Sequence, residues 1–113
     1  MEIRKNTYHE YLRDGEKKLF NQLVAKLNDP IDLENCNLQG IDLRGVNLKK
    51  ANLQNSYLKN ADLRGVDLSN ALMDGASIHR ARIGGALFPI NLEPAEIRLS
   101  LDFGTRMRIR KVT

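Results

Sequence analysis

Residues 31–90 carry a large apolar residue at every fifth position, with a smaller residue two places before it. Twelve such units follow one another without an insertion. A period of five matches neither the 3.6 residues of a helix nor the two residues of a strand, so each unit must turn a corner. The predicted core residues are Leu33, Leu38, Leu43, Leu48, Leu53, Leu58, Leu63, Leu68, Met73, Ile78, Ile83 and Phe88.

A second period of twenty residues lies within the first. The string DLRGV occurs at residues 42–46 and again at 62–66, and Gly45, Gly65 and Gly85 keep the same spacing. Twenty residues make four units, which predicts coils with four sides whose backbone pairs with the coil below. Burying each large side chain inside such a coil contributes about 1.5–3 kcal/mol before entropy costs.

The unit of a small residue, Asp or Asn, Leu and two further residues resembles that of the pentapeptide-repeat family. This resemblance implies a mainly β fold, a right-handed quadrilateral β-helix of about three coils, with the Leu and the small residue pointing inward. We expect a helical cap at each end, because an open end exposes core and unpaired backbone. The likeness is carried by AsnLeu at 37–38, 47–48 and 52–53, and by AspLeu at 32–33, 42–43, 62–63 and 67–68.

Residues 1–30 are predicted to form the N-terminal helical cap. A stripe of apolar residues with helical period predicts a helix over about 16–27, which Pro30 terminates. Thr7 and Glu10 have capping-box spacing, which favours a shorter helix at 8–13. We expect the longer helix to cover the first coil. The stripe residues are Leu19, Phe20, Leu23, Val24 and Leu27.

Residues 91–113 are predicted to form a C-terminal helical cap and a basic tail. Pro94 suits the first position of a helix and Gly104 the position just past its end, which predicts a helix over 94–103. The alternation of apolar and polar residues in the same stretch favours a hairpin as the second alternative. The residues expected to be buried against the third coil are Ile97, Leu101 and Phe103.

The composition of the chain argues against a disulfide-bonded, membrane-spanning or secreted protein. The chain has 113 residues, a net charge of +4 and one cysteine, so no internal disulfide can form. It contains no apolar run long enough to span a membrane and no apolar stretch of a secretory signal, which predicts a cytoplasmic protein. We predict no catalytic, metal-binding or cofactor-binding residues. An Asp or Asn just before the central Leu of a unit suits a bend, His9 and His79 are isolated, and Cys36 points inward.

The third coil departs from the repeat pattern at the outward positions. Leu72 and Leu87 occupy the outward position that usually holds Asp or Asn, and Ile90 follows. Outward leucines need a cover, which the C-terminal segment or a second copy of the protein would provide. The candidate contact residues at this end and in the basic tail are Leu72, Leu87, Ile90, Arg106, Arg108, Arg110 and Lys111.

These features predict a non-enzymatic module for protein–protein interaction or scaffolding. Its partner would be another protein, or a second copy bound through the C-terminal end. The resemblance implies one alternative, because some pentapeptide-repeat proteins protect DNA gyrase by mimicking DNA; a positive charge and a short repeat region disfavour it. Binding of an anionic surface or nucleic acid through the basic tail is the other alternative, and the thin spread of charge disfavours nucleic acid.

Overall fold

Three α-helices flank the repeats in the computed structural model, which describes residues 5–27 and 29–110. They are α1 (Lys5–Arg13), α2 (Lys17–Lys26) and α3 (Pro94–Phe103). Helix α1 begins before Thr7, so the predicted capping box is wrong. Tyr8 and Leu12 are buried, and this packing fixes the helix where a cap was expected to do so.

Residues 94–103 form a helix, and the hairpin alternative is wrong. Pro94 occupies the first turn of α3, and Gly104 ends it in the left-handed region with φ 75°. The Gly104 N–H donates to the Ser100 carbonyl at 2.8 Å. Ser100 is fully buried, whereas Phe103, expected in the core, is 73% exposed because it lies in the last turn on the outer face.

The repeats wind in coils of twenty residues: the first coil is 31–50, the second 51–70 and the third 71–90. Each coil has four sides, named A to D in chain order, and each side is one five-residue unit. The seven isolated bridges in the described part of the chain all join residues twenty apart in parallel. On side A, for example, the Leu33 N–H donates to the Asn52 carbonyl at 2.8 Å.

The prediction of a mainly β fold, a right-handed quadrilateral β-helix, is wrong. The described residues contain no β-strand and no sheet, and pairing between coils is confined to single bridges. The five-residue unit explains this, because each unit closes a turn such as that from the Cys36 N–H to the Leu33 carbonyl at 3.2 Å. One residue per unit therefore pairs before the chain turns away, and consecutive pairs do not form.

The core lies inside the coils. The predicted core residues from Leu33 to Ile78 are all at most 1% exposed. Ile83 and Phe88, the last two, are half-buried and pack against this cluster from its edge. The core is therefore sealed at the first coil and incompletely covered at the third.

Helices α1 and α2 lie against the first coil. The Asn21 side chain donates to the Gly45 carbonyl at 2.9 Å and accepts the Asn47 N–H at 2.8 Å, so α2 satisfies backbone groups of the coil end. Phe20 is fully buried and meets the Tyr8 ring edge-to-face, with ring centroids 6.3 Å apart.

Candidate partner-binding end of the third coil

Helix α3 covers side B of the third coil. The Ser100 hydroxyl accepts the Ile78 N–H at 2.9 Å, and the Leu101 carbonyl accepts the Arg80 N–H at 3.1 Å. Because Ser100 is fully buried, its hydroxyl replaces the carbonyl that a further coil would have supplied.

Residues 105–110 are part of the fold and do not form a separable tail. Met107 is fully buried, its carbonyl accepts the Gly75 N–H at 2.8 Å, and its N–H donates to the Ala76 carbonyl at 2.8 Å. This segment therefore covers the corner between sides A and B.

The arginines of this segment are engaged within the molecule. The Arg106 guanidinium lies 5.1 Å from the centroid of the Tyr57 ring and donates to the Tyr57 hydroxyl. Arg108 pairs with Glu96 at 2.8 Å, and Arg110 pairs with Glu93 at 3.1 Å.

Hydrogen bonds from the Arg108 side chain and backbone lower the pKa of Glu96 to about 2. Three of the four candidate basic residues thus have partners of their own, and the fourth, Lys111, lies outside the described residues.

Sides C and D of the third coil have an open backbone edge. In the second coil the corresponding edge is paired: the Leu63 N–H donates to the Arg82 carbonyl at 2.7 Å and the Leu68 N–H to the Leu87 carbonyl at 2.7 Å. One coil further on, the equivalent groups have no hydrogen-bond partner among residues 5–27 and 29–110. These groups are the N–H of Ile83, Gly85 and Phe88 and the carbonyls of Ala81 and Ala86.

The outward leucines surround the corner at which the repeats end. Leu87 lies on side D and Leu72 on side A, and these sides meet at the corner that holds Ile90. Leu72 and Leu87 are 53% and 57% exposed, and Ile90 is fully exposed. We call these three residues the apolar corner. Leu72 also lines a cavity of about 440 Å³ together with Asn91 and Ile109.

Side C carries a column of alternating charges. Arg44 contacts Asp42 at 3.0 Å and, one coil further on, Asp62 at 3.3 Å, and Arg64 pairs with Asp62 at 2.7 Å. The Arg64 hydrogen bond and the nearby Arg44 charge help lower the pKa of Asp62 to about 2. These carboxylates are held as ion-pair partners of arginine, and no group of three or more potential metal ligands lies together among the described residues.

Arg82 continues this column in the third coil. It is exposed and forms no ion pair with any residue that the structure describes. Arg80, at the preceding corner, is also exposed and has φ 58°, in the left-handed region. The other corner residues with positive φ in the repeats are Gly or Asn, so Arg80 departs from the local backbone preference.

A comparison with protein families places these repeats. The model described as Pentapeptide repeats (8 copies) matches residues 31–65 and 51–88, which together make up just over half of the chain. The chain belongs to the pentapeptide-repeat family. Neither the curated proteins nor the solved structures contain a significant match. No helix in the described part of this pentapeptide-repeat protein is long and apolar enough to cross a membrane.

Three further residues considered from the sequence are His9, Cys36 and His79. His9 and Cys36 lie at the first coil of this pentapeptide-repeat protein, and His79 lies in the third coil. The His9 ring donates to the Asn37 carbonyl at 2.6 Å, beside the first coil. Cys36 is buried, and His79 packs against Gly104, where an added Cβ would lie 2.8 Å from the ring. The structure does not bring these side chains together.

Sequence reasoning missed the open edge of sides C and D and the place of Arg80 beside it. The signal was available at Arg80, since the sequence puts arginine at a corner position where nine of the twelve units have Gly or Asn. The open edge had no such signal, because it depends on where α3 and Met107 lie across the coil.

Proposed function

We propose that this pentapeptide-repeat protein is a non-enzymatic module that binds another protein through the C-terminal end of its third coil. The observation that carries the proposal is the apolar corner. Leu72 and Leu87 replace the Asp or Asn that the first two coils have at the same outward positions, and they leave large side chains in water. Burying apolar surface of this kind stabilises a complex by about 25 cal/mol per Å² before association costs.

The surroundings of the corner support contact with a protein surface. The cavity beside Leu72 has Met73 and Ile109 in its lining, together with the polar Asn91 and Arg108. An apolar centre with a polar rim is the usual composition of a protein–protein interface.

The two alternative functions, mimicry of DNA and binding of anions through the basic segment, receive less support. Mimicry of DNA requires a continuous negative surface, whereas the side C column alternates in sign from Asp42 to Arg64. Binding of anions through the basic segment would have to break the pairs of Arg108 with Glu96 and of Arg110 with Glu93.

Capture of binding proteins from cell extract by immobilised chains would test the proposal. The corner variant carries Leu87→Asn and Ile90→Asn, which restore the polarity of the other repeats. The matched control is Leu19→Asn, because Leu19 is an exposed leucine on α2 at the opposite end. We expect a protein that the native chain and the control retain and the corner variant loses, and that rebinds when purified. Equal retention by all three chains would contradict the proposal.

A further inference from the structure

We propose that the open edge of side C binds an extended segment of the partner protein, with an acidic residue between two apolar ones. The segment would add its backbone to the third coil as one coil adds to the next. This inference rests on the proposed function and names the chemistry of the partner.

The second coil shows the hydrogen-bond pattern that such a segment would complete. On side C the Arg82 N–H donates to the Ala61 carbonyl at 2.9 Å, and the Leu63 and Gly65 N–H donate to the third coil at 2.7 and 2.9 Å. The third coil presents the same groups without partners among the described residues, as the Ala81 carbonyl and the N–H of Ile83 and Gly85.

One residue of a parallel segment, placed opposite Arg82, would therefore exchange two hydrogen bonds with this edge. Its carbonyl would accept the Ile83 N–H, and its own N–H would donate to the Ala81 carbonyl. A third bond would form from the Gly85 N–H to the carbonyl two residues further on. Addition of an extended peptide to an unpaired edge is a common mode of peptide recognition.

An apolar groove lies beside this edge. It has a volume of about 270 Å³ between side C and α3, and its lining comprises Ile83, Pro94, Ile97, Arg98 and Leu101. Side chains alternate in direction along an extended segment, so the two neighbours of the residue opposite Arg82 would point toward the core. These neighbours are expected to be aliphatic, because the groove offers them half-buried isoleucine and leucine side chains.

The positive charge beside the open edge determines which residue type we expect at the centre of the bound segment. Arg82 points outward at the pairing position, and Arg80 lies at the adjoining corner; both are exposed and form no ion pair with described residues. A Glu or Asp opposite Arg82 would supply the missing negative charge. Arg80 holds a left-handed conformation that is unfavourable for a non-glycine residue. Strained backbone of this kind is concentrated at binding and active sites.

A second copy of this chain fits the edge less well. Antiparallel pairing of side C with the same side of a second copy would give the Ala81 carbonyl and the Ile83 N–H hydrogen-bond partners. It would also place the Arg82 residues of the two copies opposite each other, with Cα atoms about 4.5 Å apart. Like charges directly opposite each other destabilise a pair. The edge therefore favours an acidic segment from a different protein.

The test is an NMR titration of the full ¹⁵N-labelled chain with the peptide acetyl-Ser-Gly-Leu-Glu-Leu-Ser-Gly-amide. We expect the amide signals of Ile83 and Gly85 to shift, and those of Leu63 and Gly65 to shift less. Methylation of the Glu nitrogen should weaken binding about two- to tenfold or more, because it removes the N–H that faces Ala81. Methylation of the following Leu nitrogen is the matched control, since that N–H points away from the edge.

The variant Arg82→Gln should weaken binding about two- to fivefold. The matched control is Lys50→Gln, which removes the same charge from an exposed corner of the first coil and should leave binding unchanged. Equal effects of the two methylated peptides, or no effect of Arg82→Gln, would overturn the inference. Tighter binding of oligothymidylate than of the peptide at the same amides would also overturn it in favour of a polyanion.

Failure of this inference is distinguishable from failure of the proposed function. If the peptide leaves Ile83 and Gly85 unshifted while capture still depends on Leu87 and Ile90, the apolar corner binds the partner and the side C edge does not. If the corner variant retains every protein that the native chain and the Leu19→Asn control retain, the proposed function fails as well.

Discussion

Met107 provides the sharpest test of the view that residues 105–110 belong to the fold. Its side chain is fully buried, and its backbone bonds to Gly75 and Ala76 at 2.8 Å. Met107→Ala keeps these backbone groups and removes the buried thioether. Large-to-small core substitutions of this kind cost about 2–5 kcal/mol, because transfer free energy is lost and a cavity remains.

The loss should be a large part of the total stability, which is about 5–15 kcal/mol for a domain. Urea denaturation followed by circular dichroism measures it as a lower midpoint with an unchanged slope. Each kcal/mol corresponds to a fall in Tm of about 4 °C in a chain of this size. We therefore expect Met107→Ala to lower Tm by about 8–20 °C.

Two controls separate burial from the mere loss of atoms. Met107→Leu conserves volume and should cost less than about 1.5 kcal/mol. Ile90→Ala removes a fully exposed side chain and should change stability by less than about 0.5 kcal/mol. If Met107→Ala were as mild as Ile90→Ala, the segment would be a tail and the reasoning would be refuted.

Three further predictions concern the same end of the molecule. Ser100→Ala should cost about 1–3 kcal/mol in urea denaturation, because the Ile78 N–H loses its buried acceptor; an unchanged midpoint would contradict this. Arg80→Gly should raise stability by about 0.5–1 kcal/mol by relieving the left-handed strain, and a lower midpoint would show that no strain was present. Hydrogen bonds from Arg108 lower the pKa of Glu96 from 4.5 to about 2. The contribution of the ionised Glu96 carboxylate to folding stability is therefore complete above pH 4.5 and is lost as the pH falls toward 2. Urea midpoints at pH 7 and pH 3 should therefore differ more for the native chain than for Glu96→Gln.

The sequence was sufficient for the ten buried core residues from Leu33 to Ile78 and for the bounds of α3. Residues with a five-residue period can point the same way only if every unit turns equally, so the inward positions followed directly from the pattern. Pro94 and Gly104 mark the ends of α3 because their backbone preferences are local, and local preferences can be read from single residues.

The strand content could not be predicted from the same pattern. Whether a five-residue unit pairs through one residue or several depends on how much of it the turn consumes, and the turn at Leu33–Cys36 leaves a single bridge at Asn37. The contacts of the arginines in residues 105–110 could not be predicted from the sequence either. Arg106 reaches Tyr57 and Arg108 reaches Glu96 only because Met107 anchors the chain between them.

The open edge of sides C and D is the central claim, and amide hydrogen exchange measured by NMR tests it most directly. The amides of Ile83, Gly85 and Phe88 have no acceptor among the described residues, whereas those of Leu63, Gly65 and Leu68 donate to the third coil at 2.7–2.9 Å. We predict rapid exchange for the first three and slow exchange for the other three, since unbonded exposed amides exchange without local opening. Equal protection of both sets would contradict an open edge.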